Sequence, residues 1–144
     1  MRFTNSILIH QPVEKVFSFV SNFENSPKWN YAVITCERST SGPLGLGHVF
    51  NHKRQFLGRV LEESFSISRF EHNARVTIES LEARYPFIME YSFEPRDSNT
   101  LLINLFELRT TGPFRLAEFL LRPKVNKAVN HNLHALKSLL ESNP

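Results

Sequence analysis

Three ionisable side chains fall where an apolar face is expected: His52 and Arg54 in one alternating stretch, Glu63 in the next. Residues 48–56 place His48, Phe50, His52, Arg54 and Phe56 on one side and Val49, Asn51, Lys53 and Gln55 on the other. In the stretch 59–70 the apolar side carries Leu61, Glu63, Phe65 and Ile67. A tight turn at Leu57-Gly58 sets His52 opposite Glu63, with Arg54 one step nearer the turn; such cross-strand neighbours lie about 5 Å apart. A histidine beside a carboxylate can serve as general acid or base, and a guanidinium suits planar anions. Burying a charge is costly unless it is paired. The three side chains therefore form either an internal polar cluster or a solvated group at a projecting hairpin tip. His52 and Glu63 are the candidate catalytic pair.

Other residues are candidates for contact with a ligand rather than for chemistry. Trp29, the only tryptophan, follows two short helical segments and is either a packing anchor or a wall residue. Phe50 and Phe65 lie on the inner face of the hairpin, Met89 and Tyr91 on that of the stretch 87–94, and Asn104 and Phe106 on that of 100–109. Asn104 interrupts "LLINLFEL", and a buried amide needs partners. Together with His52 and Arg54 these form the candidate ligand-binding set. His131 and His134 stand three apart, but a metal site needs further ligands and the sequence offers no third, so no metal and no cofactor is expected. Gly45 and Gly47 make no phosphate loop, since the Lys-Ser/Thr of that motif is missing. No Gly-x-Ser-x-Gly elbow is present.

The elements that position these residues can be read from periodicity. Residues 3–9 alternate as a half-buried strand. Pro12 ends it and suits a first helical turn, Glu14 favours the positive end of the helix dipole, and Val13, Val16, Phe17 and Val20 form one apolar face. "NFENSPKW" predicts a second short helix or turn. Strands are then predicted over 32–38, 48–56, 59–70, 74–82, 87–94 and 100–109, an antiparallel meander. From 114 to 141 the period is helical, with Leu121, Val125, Val129, Leu133, Leu136 and Leu140 in one stripe. Pro123 predicts a bend or short break near the start of that helix. On the last strand Leu101, Ile103 and Leu105 point outward, a patch suited to self-association unless the chain's own loops cover it; a homodimer is the expectation.

The chain has 144 residues and a formal charge of +3, with 17 basic residues scattered among 14 acidic ones. One domain, 1–144, is the natural reading. Nucleic-acid binders cluster their basic residues, so no nucleic-acid partner is expected. No apolar run approaches the ~20 residues of a bilayer span, the N-terminal stretch has no signal-like apolar core, and the single cysteine fits a reducing compartment. A cytoplasmic protein without integral membrane association is expected. Thirteen phenylalanines either fill a solid core or line an apolar cavity.

Several segments, in order, carry a family resemblance. "ILIHQPVEKVFSFVSNFENSPKW" resembles a strand-Pro-x-x-x-Val-Phe/Trp opening that ends in Pro-x-Trp. "PLGLGHVF" resembles a Gly-x-x-Phe strand start. "YSFEPRDSNTLLI" is similar to the segment before the last strand, with Asn99-Thr100 in place of the usual Gly-Thr, and "ALKSLLE" resembles a C-terminal Leu-Lys-x-x-Leu-Glu. These are features of the helix-grip, START-like or SRPBCC superfamily, which includes birch-pollen-allergen-like, lipid-transfer and polyketide cyclase/dehydrase-like proteins. The resemblance implies an α+β helix-grip fold, with a curved antiparallel sheet of six to seven strands around a long C-terminal helix and two short helices after strand 1. It implies an apolar cavity between sheet and helix, but no shared chemistry. The functional expectation is binding of a small hydrophobic molecule, lipid-like, aromatic or polyketide-like. The alternatives are a cyclase/dehydratase-type enzyme using acid-base residues in the same cavity, and an interaction module whose cavity is filled.

Overall fold

The computed structural model describes residues 1–142. Strand β1 (Arg2–Ile9) is followed by helix α1 (Val13–Ser21) and a 3-10 helix (Phe23–Lys28). Six strands follow: β2 (Val33–Arg38), β3 (Val49–Phe56), β4 (Arg59–Glu71), β5 (Arg75–Glu82), β6 (Phe87–Arg96) and β7 (Asn99–Leu108). A single helical turn, α2 (Pro113–Leu116), leads into the long helix α3 (Glu118–Ser142). All seven strands form one antiparallel sheet in the order β1-β7-β6-β5-β4-β3-β2. The chain's first strand thus lies beside its last, while β2 forms the other edge. Register shifts in β2–β3 and at two places in β4–β5 add local bend and twist, and the sheet curls around α3.

Local chemistry explains the entry into the helices. Pro12, in extended conformation, stands just outside α1 rather than in its first turn. Val16, Phe17 and Val20 are buried, and Phe17 packs edge-on against Phe70 and Phe93. The Asn22 side chain accepts from the Glu24 amide and caps the 3-10 helix. Beyond it, Asn30 and Asn132 tie the start of the meander to α3: Asn132 Nδ2 donates to Asn30 Oδ1 at 3.0 Å, and Asn132 Oδ1 accepts from the Tyr31 amide. At the other end of α3, Gln11 donates to the Leu140 carbonyl, Lys137 to the Leu8 carbonyl, and Glu141 accepts from the His10 amide.

The core is uneven along α3. Leu133, Leu136 and Leu140 are buried, whereas Leu121, Val125 and Val129 of the same stripe are only half-buried. The helix runs unbroken through Pro123. The interruption falls instead at Ala117, between α2 and α3. Pro123 sits in the second turn of α3, where its missing N–H costs one bond to the carbonyl four residues back. The burial of β7 alternates as expected, with Thr100, Leu102, Asn104 and Phe106 inward. Leu101, Ile103 and Leu105 are half-buried, set between Leu8, Ser6 and Thr4 of β1 and Glu94, Ser92 and Glu90 of β6. Cys36, on β2, is buried.

The two halves of α3 should respond differently to truncation. Leu136→Ala should cost about 2–5 kcal/mol, as for a packed leucine. Val125→Ala, half-buried at the core's margin and bordering a cavity, should cost less, about 1 kcal/mol. Urea unfolding of both variants measures this, and equal losses would contradict an unevenly packed helix.

Candidate functional site

The turn at Leu57-Gly58 positions the polar cluster. Both residues have positive φ, 52° and 75°, and Phe56 pairs with Arg59 across them. This register brings His52 opposite Glu63. His52 Nε2 lies 3.1 Å from Glu63 Oε1. Arg54 Nε donates to the same oxygen, and Arg54 Nη2 reaches Oε2 at 3.4 Å. The Arg54 guanidinium also lies over the rings of Phe56 and Phe87, at 5.1 and 5.6 Å. His52 and Glu63 are buried, so the cluster is internal rather than a solvated tip.

Burial alone pushes the Glu63 carboxyl up, but hydrogen bonds from His52 and Arg54 and the Arg54 charge outweigh it and hold the group below its ordinary value. An ionised carboxylate only accepts, so His52 Nε2 carries the hydrogen in that bond. In the neutral imidazole Nδ1 is then the acceptor. Cys36 continues the row on the far side of His52. Burial, then Glu24 and Glu37, push its thiol up to about 12, which keeps it protonated and a poor nucleophile.

A cavity of about 420 Å³ lies between the concave face of the sheet and the N-terminal half of α3. His52 and Arg54 border it, as do Trp29, Phe65, Met89, Tyr91 and Phe106. Trp29 is at once buried anchor and wall, packing edge-on to Tyr91 at 6.2 Å. Burial raises the Tyr91 phenol well above its usual range, so it stays neutral. Three residues expected at the cavity stand back from it. Phe50 is fully buried behind it, stacked on Phe65 at 5.3 Å and held by Phe23. Asn104 is buried with Nδ2 donating to the Glu90 carbonyl at 3.5 Å, and its Oδ1 has no partner among the described residues. Glu63 lies behind His52 and Arg54 and touches no part of the cavity wall. Alternation assigns a face but not a depth, so these three share the face of the wall residues without reaching the cavity. Phe23, Phe87, Lys124 and Asn132 border the cavity as well, although the sequence does not single them out as site residues. His131 and His134 are exposed on α3, and no group of three or more metal-ligating side chains occurs among the described residues.

The cluster has a pH signature. A carboxyl held below its ordinary value contributes stability above the unfolded-state pKa, near 4.3, and loses it as pH falls through the folded value. Glu63→Gln should therefore cost about 3 kcal/mol at neutral pH. It should also lose less stability than the wild type between about pH 5 and pH 3. Parallel pH–stability curves for the two proteins would contradict an ionised Glu63.

A family model described as polyketide cyclase/dehydrase and lipid transport matches residues 1–141. Among curated proteins no sequence matches significantly. Solved structures match over nearly the whole chain. The TTHA0849 protein of Thermus thermophilus is 17% identical, with a TM-score of 0.80, covering 99% of this chain and 98% of that one. A START superfamily protein of Mycobacterium smegmatis is 16% identical, with a TM-score of 0.80 and 99% of each chain covered. The Zhui aromatase/cyclase of Streptomyces sp. R1128 is 13% identical, with a TM-score of 0.77, covering 98% of this chain and 93% of that one. At such identities the likeness concerns the fold, which is the helix-grip fold of the START-like superfamily. With a family model spanning all but its last three residues, the chain belongs to the polyketide cyclase/dehydrase and lipid transport family.

Proposed function

We propose that the chain binds a small, mainly apolar molecule carrying one polar or anionic group. The observation that carries this reading is the cavity of about 420 Å³, walled by aromatic and aliphatic side chains with His52 and Arg54 set into one side. That volume falls within the range of small-molecule sites, and a few convergent polar groups on an apolar wall fix a ligand's orientation. Lipid-like, aromatic and polyketide-like molecules all have this character. Glu63 acts as a positioning residue. It holds both cavity-facing side chains in place and balances the Arg54 charge, so that the guanidinium is available without being an unpaired buried cation.

A second reading rests on the His52–Glu63 hydrogen bond. It leaves His52 with one acceptor nitrogen when neutral, the form needed to take a proton from a bound carbonyl compound. On this reading the chain is a cyclase/dehydratase. His52→Gln should then lower turnover of a polyketone substrate by about 10²- to 10⁴-fold with ligand affinity changed little. Binding without any turnover by the wild type would exclude it.

Binding is tested with a medium-chain carboxylic acid and the alcohol of equal chain length, by calorimetry. Val125→Trp should fill part of the cavity and weaken both. Arg54→Ala should weaken the acid by about 10-fold or more, the worth of a charge-assisted hydrogen bond, and the alcohol much less. Unchanged affinity in Val125→Trp would place the ligand elsewhere, and equal losses in Arg54→Ala would remove the anion-orienting role.

A further inference from the structure

Three segments meet at the mouth of the cavity and are pinned by one aromatic cluster. Phe56, at the end of β3, packs against Tyr85 of the β5–β6 connection at 5.3 Å. Both rings pack against Phe114 of α2, at 6.1 and 4.9 Å. Around this cluster the surface is apolar in a way the fold does not require. Leu116, Phe119 and Leu120 are 80, 71 and 69% exposed. Leu57, at the hairpin tip and on the cavity rim, is 46% exposed. Its left-handed backbone suits Asn, Asp or Gly and is unfavourable for leucine, yet its side chain is not drawn into the core. Clustered exposed apolar side chains of this size mark an interaction surface.

The charge around the patch identifies the partner. Between Pro113 and Lys127 the bases are Arg115, Arg122, Lys124 and Lys127, and the sole acid is Glu118. Glu118 is already engaged by Thr110 and the Met1 amino group. Leu120, Lys124 and Lys127 stand at i, i+4 and i+7, on one side of α3. Among the described residues, no acidic partner pairs with Arg115, Lys124 or Lys127 in a salt bridge, nor with Arg59 or Arg84 of the adjoining hairpin and connection. Large apolar side chains ringed by unpaired Lys and Arg match the apolar-beneath-anionic layering of a lipid surface.

We propose that this end of the molecule docks peripherally on an anionic lipid bilayer, with Leu116, Phe119, Leu120 and Leu57 entering the interfacial layer and Arg115, Lys124 and Lys127 meeting the headgroups. The cavity rim, which includes Leu57, Leu121 and Lys124, then faces the bilayer. Transfer of an apolar ligand between bilayer and cavity rests additionally on the binding reading above; the docking does not.

The test is co-sedimentation of the full chain with sonicated vesicles, either pure phosphatidylcholine or a mixture with a third phosphatidylglycerol. Binding is expected to the mixed vesicles, weakening as salt is raised. Arg115→Glu with Lys127→Glu should reduce it about 25-fold or more, from roughly fivefold per basic residue. Leu116→Ser with Phe119→Ser and Leu120→Ser should abolish it. None of these five positions borders the cavity, so affinity for the medium-chain acid in vesicle-free solution should be unchanged, and the far-ultraviolet dichroism and Tm should match the wild type. Absence of binding to anionic vesicles, or binding that survives both variants, overturns the proposal whether or not the acid binds. A protein that ignores vesicles but forms a dimer dispersed by Phe119→Ser assigns the patch to a second copy of the chain instead.

Discussion

A single helix cannot cover the concave face of a curled seven-stranded sheet, and the arrangement of the rest follows from that mismatch. The side chains of α1, the 3-10 helix and the last three turns of α3 fill one end, where Phe17, Phe23, Phe50 and Leu136 are buried. At the other end α3 approaches the sheet with Leu121, Val125 and Val129 only half-covered. The volume left between them is a direct result of the chain spending its two short helices on the same end. A solid core would have required either a flatter sheet or a second long helix.

The polar cluster illustrates how a charged group is tolerated inside such a wall. Arg54 and His52 are donors and Glu63 accepts from both, so desolvation is offset within three residues on two paired strands. The aromatic rings beside Arg54 add favourable contact with its guanidinium. Because the acid lies behind the bases, the cavity sees the Arg54 guanidinium and the His52 ring rather than a carboxylate. The guanidinium, which only donates, biases the site toward ligands that accept hydrogen bonds.

Much of this is legible in the residues because period-2 alternation and one short turn together determine register. Leu57-Gly58 is enough to pair His52 with Glu63 from the sequence alone, and the six meander strands fall within two residues of their expected limits. Depth is not legible. Phe50, Asn104 and Glu63 share a face with true wall residues, and only the curl of the sheet separates those that meet the cavity from those packed behind it. The break at Ala117 is also hidden. Pro123 is the stronger local signal, but α3 continues through it at the cost of one hydrogen bond, whereas the chain must redirect as it leaves β7 and this occurs at α2. The aromatic cluster of Phe56, Tyr85 and Phe114 joins residues 58 positions apart at its extremes, beyond the reach of local periodicity.

Cys36 lies on the edge strand β2, buried beneath the 3-10 helix side of the sheet and protonated at neutral pH. A thiol so placed reacts with an alkylating reagent only when this edge opens, by β2 leaving β3 or by the 3-10 helix lifting away. Since it is the only cysteine in the chain, its rate of modification is a built-in clock for fraying of one sheet edge, read without any added label. Edge strands lie at the low-stability end of a domain's opening spectrum. The clock therefore records local openings beside His52, the cross-strand neighbour of Cys36.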